Sequence, residues 1–332
     1  MKPTLEKIAQ EAGVSTSTAS RVATGKGYVK PETRKRIQQV MERYEYSYRN
    51  PTKTVGKDVL VLCGDIQSRV YTEYIRGISS VLDDHGYRIF IVDSEYDGKK
   101  EERYLRYALK GHFAGVFMLS AIYTPQLINI IKAAQSPIVF LNRHIKSLES
   151  DIVCVDNYRC GYLATERLIN EGHRRILHLG GPENSTTCND RLMGYTDCMK
   201  DNGLDIAQGD VFRGELHKKS GEEFADFVRE NKPDCTAVFS ANDLMAIGFV
   251  DRLMSRRIAV PGNISIICAD DTEAAREAKV ALTTISYDPF TMGEAAASLL
   301  LERFEDPNGQ KKKIMYFPEI NERESVAKYK KR

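Results

Sequence analysis

The chain has 332 residues, enough at about 150 residues per domain for two or three folding units, which excludes a disulfide-stapled miniprotein. Hydrophobic residues make up 42% of it and charged residues 28%, so wholesale disorder and low-complexity repeats are excluded as well. No apolar run approaches the roughly 20 residues that a membrane span requires, and no apolar signal core follows the first residues. We therefore expect a cytoplasmic protein with no membrane partner.

Positive charge is concentrated at the beginning of the chain. Residues 1–58 hold 12 Lys and Arg against 6 Asp and Glu, a net charge of +6, whereas the remainder holds 36 against 40, a net charge of −4. A basic segment on an otherwise acidic chain is typical of a protein whose first part binds a polyanion.

The cysteines and histidines give no sign of a metal or disulfide framework. The seven cysteines are odd in number, and no two of them form a Cys-x-x-Cys pair, so neither disulfide bonds nor a thiolate zinc site is expected. The six histidines show no spacing typical of metal ligands. We expect no metal and no cofactor.

Three short helical patterns open the chain. Their apolar positions are Leu5, Ile8, Ala9 and Ala12, then Val14, Ala19 and Val22, then Ile37, Val40, Met41 and Tyr44. Gly13 breaks the first pattern, Ser15 can cap the second, and Pro31 with Glu32 is a typical start for the third. The sequence predicts a three-helix head over residues 1–46 and a polar linker over residues 47–57.

Apolar strands alternate with amphipathic helices in the rest of the chain, residues 58–332. The expected strands cover residues 59–63, 88–93, 115–119, 137–142 and 151–156, and then 175–180, 237–241 and 264–270. This alternation predicts an α/β body with two doubly wound parallel sheets. Sheets of this kind bind ligands at the carboxyl ends of their strands.

One face of the second predicted helix is polar. Thr16, Ser17, Ser20 and Arg21 lie on it, opposite Val14, Ala19 and Val22. Short polar side chains and an arginine are typical of the recognition helix of a helix-turn-helix domain, which enters the major groove of DNA. The pattern alone also fits a polar surface helix of any small bundle.

Longer motifs extend over essentially the whole chain. They are residues 4–22 of the head, Tyr28-Val29, Thr33-Arg34, Asp65-Ile66, Asn142-Arg143, Val155-Asp156-Asn157, Gly180-Gly181-Pro182, Arg191-Leu-x-Gly-Tyr195, Ala241-Asn242-Asp243, Asp270-Asp271, Thr283-Thr284-Ile285 and Gly293. In these motifs the sequence resembles the lactose-repressor family of bacterial transcription factors. The resemblance implies a helix-turn-helix head and a two-lobed body that resembles periplasmic binding proteins.

The resemblance also implies residue roles in the head. Base or groove-edge contacts fall on Thr16, Ser17 and Arg21. Phosphate contacts fall on Thr4, Ser15, Ser20, Tyr28, Lys30 and Thr33. The expected partner is double-stranded operator DNA.

The linker departs from the family pattern. Family members usually have a short hinge helix there, with a leucine that wedges into the minor groove. Here Val55 stands where the leucine would fall, after Pro51 and two threonines that form helices poorly. We expect at most a weak minor-groove contact from Val55.

A polar ligand between two lobes needs carboxylate, amide and guanidinium groups, with aromatic rings beside them. The candidate effector-binding residues are Asp65, Arg69, Tyr71, Asn142, Arg143, Arg191, Asn242, Asp270 and Tyr287. Each of them alone is more often a capping or solvated loop residue. Together they predict a site for a sugar, and the arginines also fit the anionic group of a sugar phosphate or sugar acid.

Enzyme functions find no support in the motifs. No phosphate-binding glycine loop or dinucleotide-binding fingerprint occurs, and no nucleophile signature is present. A stand-alone ligand-binding protein would lack the basic head. We expect a sequence-specific DNA-binding regulator and not an enzyme, a repressor of carbohydrate-metabolism genes that binds a pseudo-palindrome as a homodimer. The sequence leaves open the operator, the effector, induction or corepression, and dimer or tetramer.

The lobes are expected to share the body as discontinuous segments. Lobe 1 is expected at about 58–155 and 286–315, and lobe 2 at about 156–285 and 316–332.

Overall fold

The computed structural model describes residues 4–24, 27–44, 46, 56–122 and 124–330. The chain divides into two compact units, Met1–Val55, which contains the head, and Gly56–Arg332, the body.

The head contains the three predicted helices: α1 (Leu5–Glu11), α2 (Thr16–Thr24) and α3 (Pro31–Arg43). Gly13 follows α1 with a φ of +61°, in the left-handed region that glycine adopts without steric cost. Ser15 caps α2 as predicted, because its Oγ accepts a hydrogen bond from the Thr18 amide at 3.2 Å. The buried side chains of Ile8 and Ile37 are at the centre of a small core.

The body alternates strands and helices. Its strands in the described residues are β1 (Asp58–Cys63), β2 (Arg88–Asp93), β3 (Gly115–Met118), β4 (Ile138–Leu141), β5 (Asp151–Val155), β6 (Ile176–Gly180), β7 (Val211–Arg213), β8 (Ala237–Ser240), β9 (Ser265–Ala269), β10 (Thr283–Ser286), β11 (Lys313–Tyr316) and β12 (Glu319–Asn321). Its α-helices there are α4 (Arg69–Asp84), α5 (Gly98–Tyr107), α6 (Pro125–Lys132), α7 (Asn157–Asn170), α8 (Thr186–Asp201), α9 (Lys218–Asn231), α10 (Asp243–Ser255), α11 (Glu273–Arg276) and α12 (Pro289–Glu305). All eight expected strands are confirmed, to within one residue at each end.

The strands form two six-stranded sheets, ordered β11-β5-β4-β3-β1-β2 and β12-β10-β9-β8-β6-β7. Neighbouring strands are parallel throughout, except that β12 pairs antiparallel with β10. Residues of β3, β4 and β8 are buried along their whole length, because helices cover both faces of such sheets. The chain passes from one sheet to the other after β5, after β10 and after β11.

Two glycines allow α7 and α8 to cross closely. A Cβ atom on Gly161 of α7 would collide with the carbonyl oxygen of Arg191, and a Cβ atom on Gly194 of α8 would collide with that of Tyr158. The side chain of any other residue would therefore push the helices apart. The crossing fixes the position of α8 and thus the base of the Arg191 side chain.

Candidate functional site

A cavity in the body is lined by residues that follow strands of both sheets. Asp65 follows β1, Asn142 follows β4, Asn242 follows β8 and Asp270 follows β9. The cavity has an empty volume of about 530 Å³, part of which is open to solvent. It lies where doubly wound sheets bind their ligands, at the carboxyl ends of the strands.

Most of the predicted effector-binding residues line this cavity. They are Asp65, Tyr71, Asn142, Arg143, Arg191, Asn242, Asp270 and Tyr287. Residues that the sequence did not single out also line it, among them Ser68, Tyr74, Tyr96, Ser185, Thr187 and Cys188.

Arg69 lies elsewhere. It is the first residue of α4, its side chain is 54% exposed, and Nη2 lies 3.2 Å from an oxygen of Glu73 on the same helix. It lines a second, wider groove instead. Arg69 and Tyr71 are two positions apart on one helix, and about 100° per residue puts them on nearly opposite faces.

Arg191, which is buried, forms an ion pair with Asp270, which is partly buried. Arg191 is 3% exposed, and its Nη2 lies 2.9 Å from Oδ1 of Asp270. The same Oδ1 accepts a hydrogen bond from the Tyr287 hydroxyl at 2.9 Å, while Nε of Arg191 donates to Asn157 at 3.0 Å and Nη1 donates to the carbonyl oxygen of Ala241. Polar groups from α7, α8 and the ends of β8, β9 and β10 thus meet on one side of the cavity.

Arg143 and a pair of tyrosines form the other side. Arg143 donates to Tyr71 at 2.9 Å and to Thr187 at 2.6 Å, and the hydroxyl oxygens of Tyr71 and Tyr96 lie 3.2 Å apart. Burial raises the pKa of the Tyr71 hydroxyl, so it stays protonated at neutral pH. Thr187 is on α8, so this contact links the region after β4 to the helix that carries Arg191.

Tyr96 reaches the cavity because of its backbone. Glu95 and Tyr96 have φ values of 53° and 54°, in a left-handed conformation that reverses the chain after β2. The ring then lies against Gly64, where a Cβ atom would be 2.3 Å from Cε1 of Tyr96. No periodic pattern in the sequence marks such a residue, although its place after a strand end was a usable signal.

Asn242 and Asp65 already have structural roles. Oδ1 of Asn242 accepts a hydrogen bond from the Met245 amide at 2.9 Å and caps α10. Oδ1 of Asp65 accepts one from the Gln67 amide at 2.9 Å. Both side chains keep further polar capacity beside the cavity.

A buried carboxyl group follows Asn242. Oδ2 of Asp243 accepts a hydrogen bond from the Thr272 amide at 2.6 Å, and Oδ1 accepts one from the Cys268 thiol at 3.1 Å. Burial, with a smaller contribution from the charge of Asp270, raises the pKa of Asp243 to about 7. This group ties α10 to the loop after β9.

The head exposes the polar face of α2. Thr16, Ser17 and Arg21 are exposed, and Tyr28 is 81% exposed. Lys30 and Thr4 are also exposed, whereas Ser20 and Thr33 are partly covered. The hydroxyls of Thr4 and Ser15 accept hydrogen bonds from the first turns of α1 and α2, at helix ends that attract phosphate. Val55 lies outside the described residues.

The described residues contain neither a metal centre nor a membrane span. No cluster of His, Cys, Asp and Glu in them could hold a metal ion. No helix among them is both long and apolar enough to cross a bilayer.

Comparisons with known proteins give matches in both parts of the chain. Residues 4–48 match the family described as bacterial regulatory proteins, lacI family, and residues 165–326 match the periplasmic binding protein-like domain. The HTH-type transcriptional repressor PurR of Pasteurella multocida is 29% identical over 97% of this chain and 98% of its own length. The PurR of Aliivibrio salmonicida is 27% identical over 98% and 99%.

The chain is also similar to transcriptional regulators whose structures have been solved. A complex of the transcriptional regulator CelR with cellobiose has a TM-score of 0.78 and 27% identity, over 98% of this chain and all of the other. A LacI family transcriptional regulator from Enterococcus faecium with bound ribose has a TM-score of 0.74 and 25% identity, over 82% of this chain and all of the other.

Proposed function

The chain belongs to the lacI family of bacterial regulatory proteins, and from this premise we propose that it is a repressor whose operator affinity is controlled by a small hydroxyl-rich effector. Family members are DNA-binding regulators of transcription and not enzymes. Because it acts on DNA, we place it in the cytoplasm.

The exposed polar face of α2 is the observation that carries the proposal. Thr16, Ser17 and Arg21 read base edges in the major groove, because they project from α2 while Ala19 and Val22 pack inward. Phosphate contacts come from Thr4, Ser15, Ser20, Tyr28, Lys30 and Thr33. The head spans residues 1–46 and the linker residues 47–57, in which Val55 makes at most a weak minor-groove contact.

A homodimer follows from the size of the head. One small head reads few base pairs, so tight and selective binding requires two heads on a pseudo-palindrome. The edge strand β2 supports this proposal, since Phe90 and Ile91 on it are 46% and 41% exposed. An exposed apolar edge strand favours contact with another chain.

The cavity of the body is the proposed effector site. Hydroxyl groups of a sugar-like compound would bond Asp65, Asn142, Asn242, Asp270, Arg143 and Arg191, with Tyr71 and Tyr287 as aromatic walls. The regulators bound to cellobiose and to ribose support a sugar-like effector. Lobe 1, about 58–155 and 286–315, and lobe 2, about 156–285 and 316–332, would close around it.

The test measures DNA binding with and without candidate effectors. An operator is selected from random DNA with the full chain, and fluorescence anisotropy then gives its affinity in the presence of each sugar, sugar phosphate and sugar acid. We expect a pseudo-palindromic operator and at least one compound that changes its affinity; the sign of that change separates inducer from corepressor. Equal affinity for selected and random DNA would refute the proposal.

A further inference from the structure

Arg143 is a buried cation whose hydrogen-bond partners are all neutral. It is 8% exposed, and it donates to the carbonyl oxygen of Asn142 at 2.7 Å, to Thr187 Oγ1 at 2.6 Å and to the Tyr71 hydroxyl at 2.9 Å. In the part of the chain that the structure describes, no carboxylate oxygen lies within 4.0 Å of its guanidinium group. Its charge is therefore not balanced by an adjacent anion.

Three carboxylates of this region are engaged in other contacts. Asp65, which also lines the cavity, accepts a hydrogen bond from the Gln67 amide. Asp270 is paired with Arg191. Glu101, whose ionisation responds to the charge of Arg143, is buried and accepts hydrogen bonds from Ser120 and from the Ile122 amide. A buried charge without a counter-ion is costly. A ligand that supplies the counter-ion recovers part of that cost when it binds.

Three helix N-termini add positive potential to the same cavity. The N-cap residues Ser68 of α4, Ser185 of α8 and Asn242 of α10 all line it. Each helix contributes roughly +0.5 of an elementary charge at its N-terminus. Ser68 makes no side-chain capping bond, so the first turn of α4 is not capped by its own N-cap side chain.

Hydroxyl groups also lie where a ligand could supply the counter-ion of Arg143. The Tyr74 hydroxyl is fully buried and approaches that of Tyr287, but it makes no hydrogen bond of ordinary geometry to any described residue. The hydroxyls of Tyr71, Tyr96 and Thr187 surround the Arg143 side of the cavity. The Thr187 hydroxyl already donates to the carbonyl oxygen of Asn142, so the tyrosine hydroxyls are the groups that can donate to an anionic oxygen.

We propose that the effector carries an anionic oxygen group, a carboxylate or a phosphate, and that Arg143 binds it. This inference rests on the proposed function, in which the cavity is the effector site. The Arg191–Asp270 pair, already neutral as a unit, then bonds the hydroxyl groups of the same compound. A neutral sugar in this cavity would leave the charge of Arg143 unbalanced.

The experiment compares neutral and anionic forms of one sugar. Calorimetry with the full chain measures the affinity for ribose, ribonate and ribose 5-phosphate, and for glucose, glucuronate and glucose 6-phosphate. We expect an anionic member of one set to bind about ten-fold or more tightly than its neutral member. The set member that binds identifies the anion as carboxylate or phosphate. Arg143→Gln should remove this preference, so that the neutral and anionic members of a set bind with similar affinity.

Arg213→Gln is the matched control. Among the described residues, Arg213 also donates only to neutral acceptors, the Gly181 carbonyl and Asn189, but it does not line the cavity. Its removal should leave the anion preference intact. Inorganic phosphate is a probe that needs no sugar: against chloride at equal ionic strength, it should raise the thermal midpoint of the wild-type chain more than that of Arg143→Gln.

Three results would overturn the inference. The first is that neutral sugars bind as tightly as their anionic partners, and the second is that the preference for anions persists in Arg143→Gln. The third is that the wild type and Arg143→Gln show the same affinity and the same thermal midpoint with every anionic probe, inorganic phosphate included. Operator binding is measured separately with each compound. If only a neutral sugar alters operator binding, the cavity is an effector site but the effector is not an anion. If an anion binds at Arg143 without altering operator binding, the anion site exists but does not control DNA binding.

Discussion

The head and the body use polar side chains in opposite ways. In the head the proposed DNA-reading residues stand exposed on α2, and Ile8 and Ile37 lie in a core beneath them. In the body the polar residues of the cavity are buried or partly buried, and Arg191 and Asp270 bond to each other. The residues of the head that contact DNA are therefore already exposed before DNA binds. The polar residues of the body must give up hydrogen bonds within the protein to form hydrogen bonds with the ligand.

This difference has an energetic consequence. An exposed side chain on the head can be removed with little effect on its fold, since surface substitutions rarely change the free energy of unfolding by more than about 0.5 kcal/mol. Removing one partner of a buried pair in the body leaves the other unpaired. Changes in the body should therefore alter stability and ligand binding together, and changes on α2 should alter DNA binding alone.

Gly161→Ala should have the largest effect. The new Cβ atom would collide with the Arg191 carbonyl oxygen, and we expect the free energy of unfolding of the body to fall by about 3 kcal/mol as α7 and α8 separate. Urea unfolding followed by circular dichroism measures this loss. Gly98→Ala, at the start of α5, is the control, since the atoms nearest to its Cβ atom would be side-chain atoms, of Ile122 at 3.2 Å and of Thr124 at 3.8 Å. Equal losses in both variants would contradict a tight helix crossing.

Asp270→Asn should weaken effector binding by roughly 1.5–3 kcal/mol, because a charged hydrogen-bonding group is lost. It also leaves Arg191 without its counter-ion, so the thermal midpoint of the body should fall. Calorimetry with the compound that alters operator binding measures the affinity. Tyr287→Phe removes the hydrogen bond to Asp270 but keeps the charge of Asp270, and it should weaken effector binding by about 1 kcal/mol. Unchanged affinity in Asp270→Asn would remove this residue from the effector site.

Arg21→Ala should cost about 1–3 kcal/mol at the selected operator and flatten the preference at one symmetric base pair. The thermal midpoint of the chain should hardly change, because the side chain is exposed. Lys30→Ala is the comparison: it should weaken selected and random DNA alike and lower the salt slope by about 0.9 for each phosphate that the protein no longer binds. If Arg21→Ala also weakens both DNAs equally, Arg21 does not read a base.

Asp243→Asn should have the smallest effect, and that effect should depend on pH. The pKa of Asp243 is raised in the folded body to about 7, so its contribution to stability is full below pH 4 and is lost as the pH rises through 7. Between pH 5 and 8 the free energy of unfolding of the wild type should fall more than that of the variant, which has no titrating group at this position. Denaturant unfolding at several pH values measures this.

Asp251→Asn is the control on the same helix. Lys218 and Lys279 contact Asp251 and lower its pKa despite the opposing effect of partial burial. Its contribution is therefore present at neutral pH and is lost as the pH falls. The two variants should change the pH dependence of unfolding in opposite directions, and identical profiles would show that Asp243 does not titrate as expected.

The sequence predicted most of the fold because each part follows a simple pattern. The three head helices and eight strands of the body were marked by apolar periodicity and by Gly13, Ser15 and Pro31. Strands β7 and β12 have only three residues each, and β11 alternates exposed with partly buried positions. Elements this short are defined by their neighbours in the sheet, so local patterns do not predict them.

The cavity was only partly predictable. Strand ends pointed to Asp65, Asn142 and Asp270, because parallel strands bring those positions to one edge. Tyr96 depends on two left-handed residues and on the space above Gly64. Thr187 depends on the crossing of α7 and α8. Those are properties of packing between distant segments, which a single sequence does not display.

The order of strands along the chain has a consequence for synthesis. The edge strands β11 and β12 complete one sheet each, and both follow every other strand in the sequence. Until they emerge from the ribosome, β5 and β10 remain open edges that can pair with other chains. The head, by contrast, precedes the body in the chain, and its core is formed by residues from Ile8 to Tyr46, so a nascent chain would possess a folded head long before its effector site is complete.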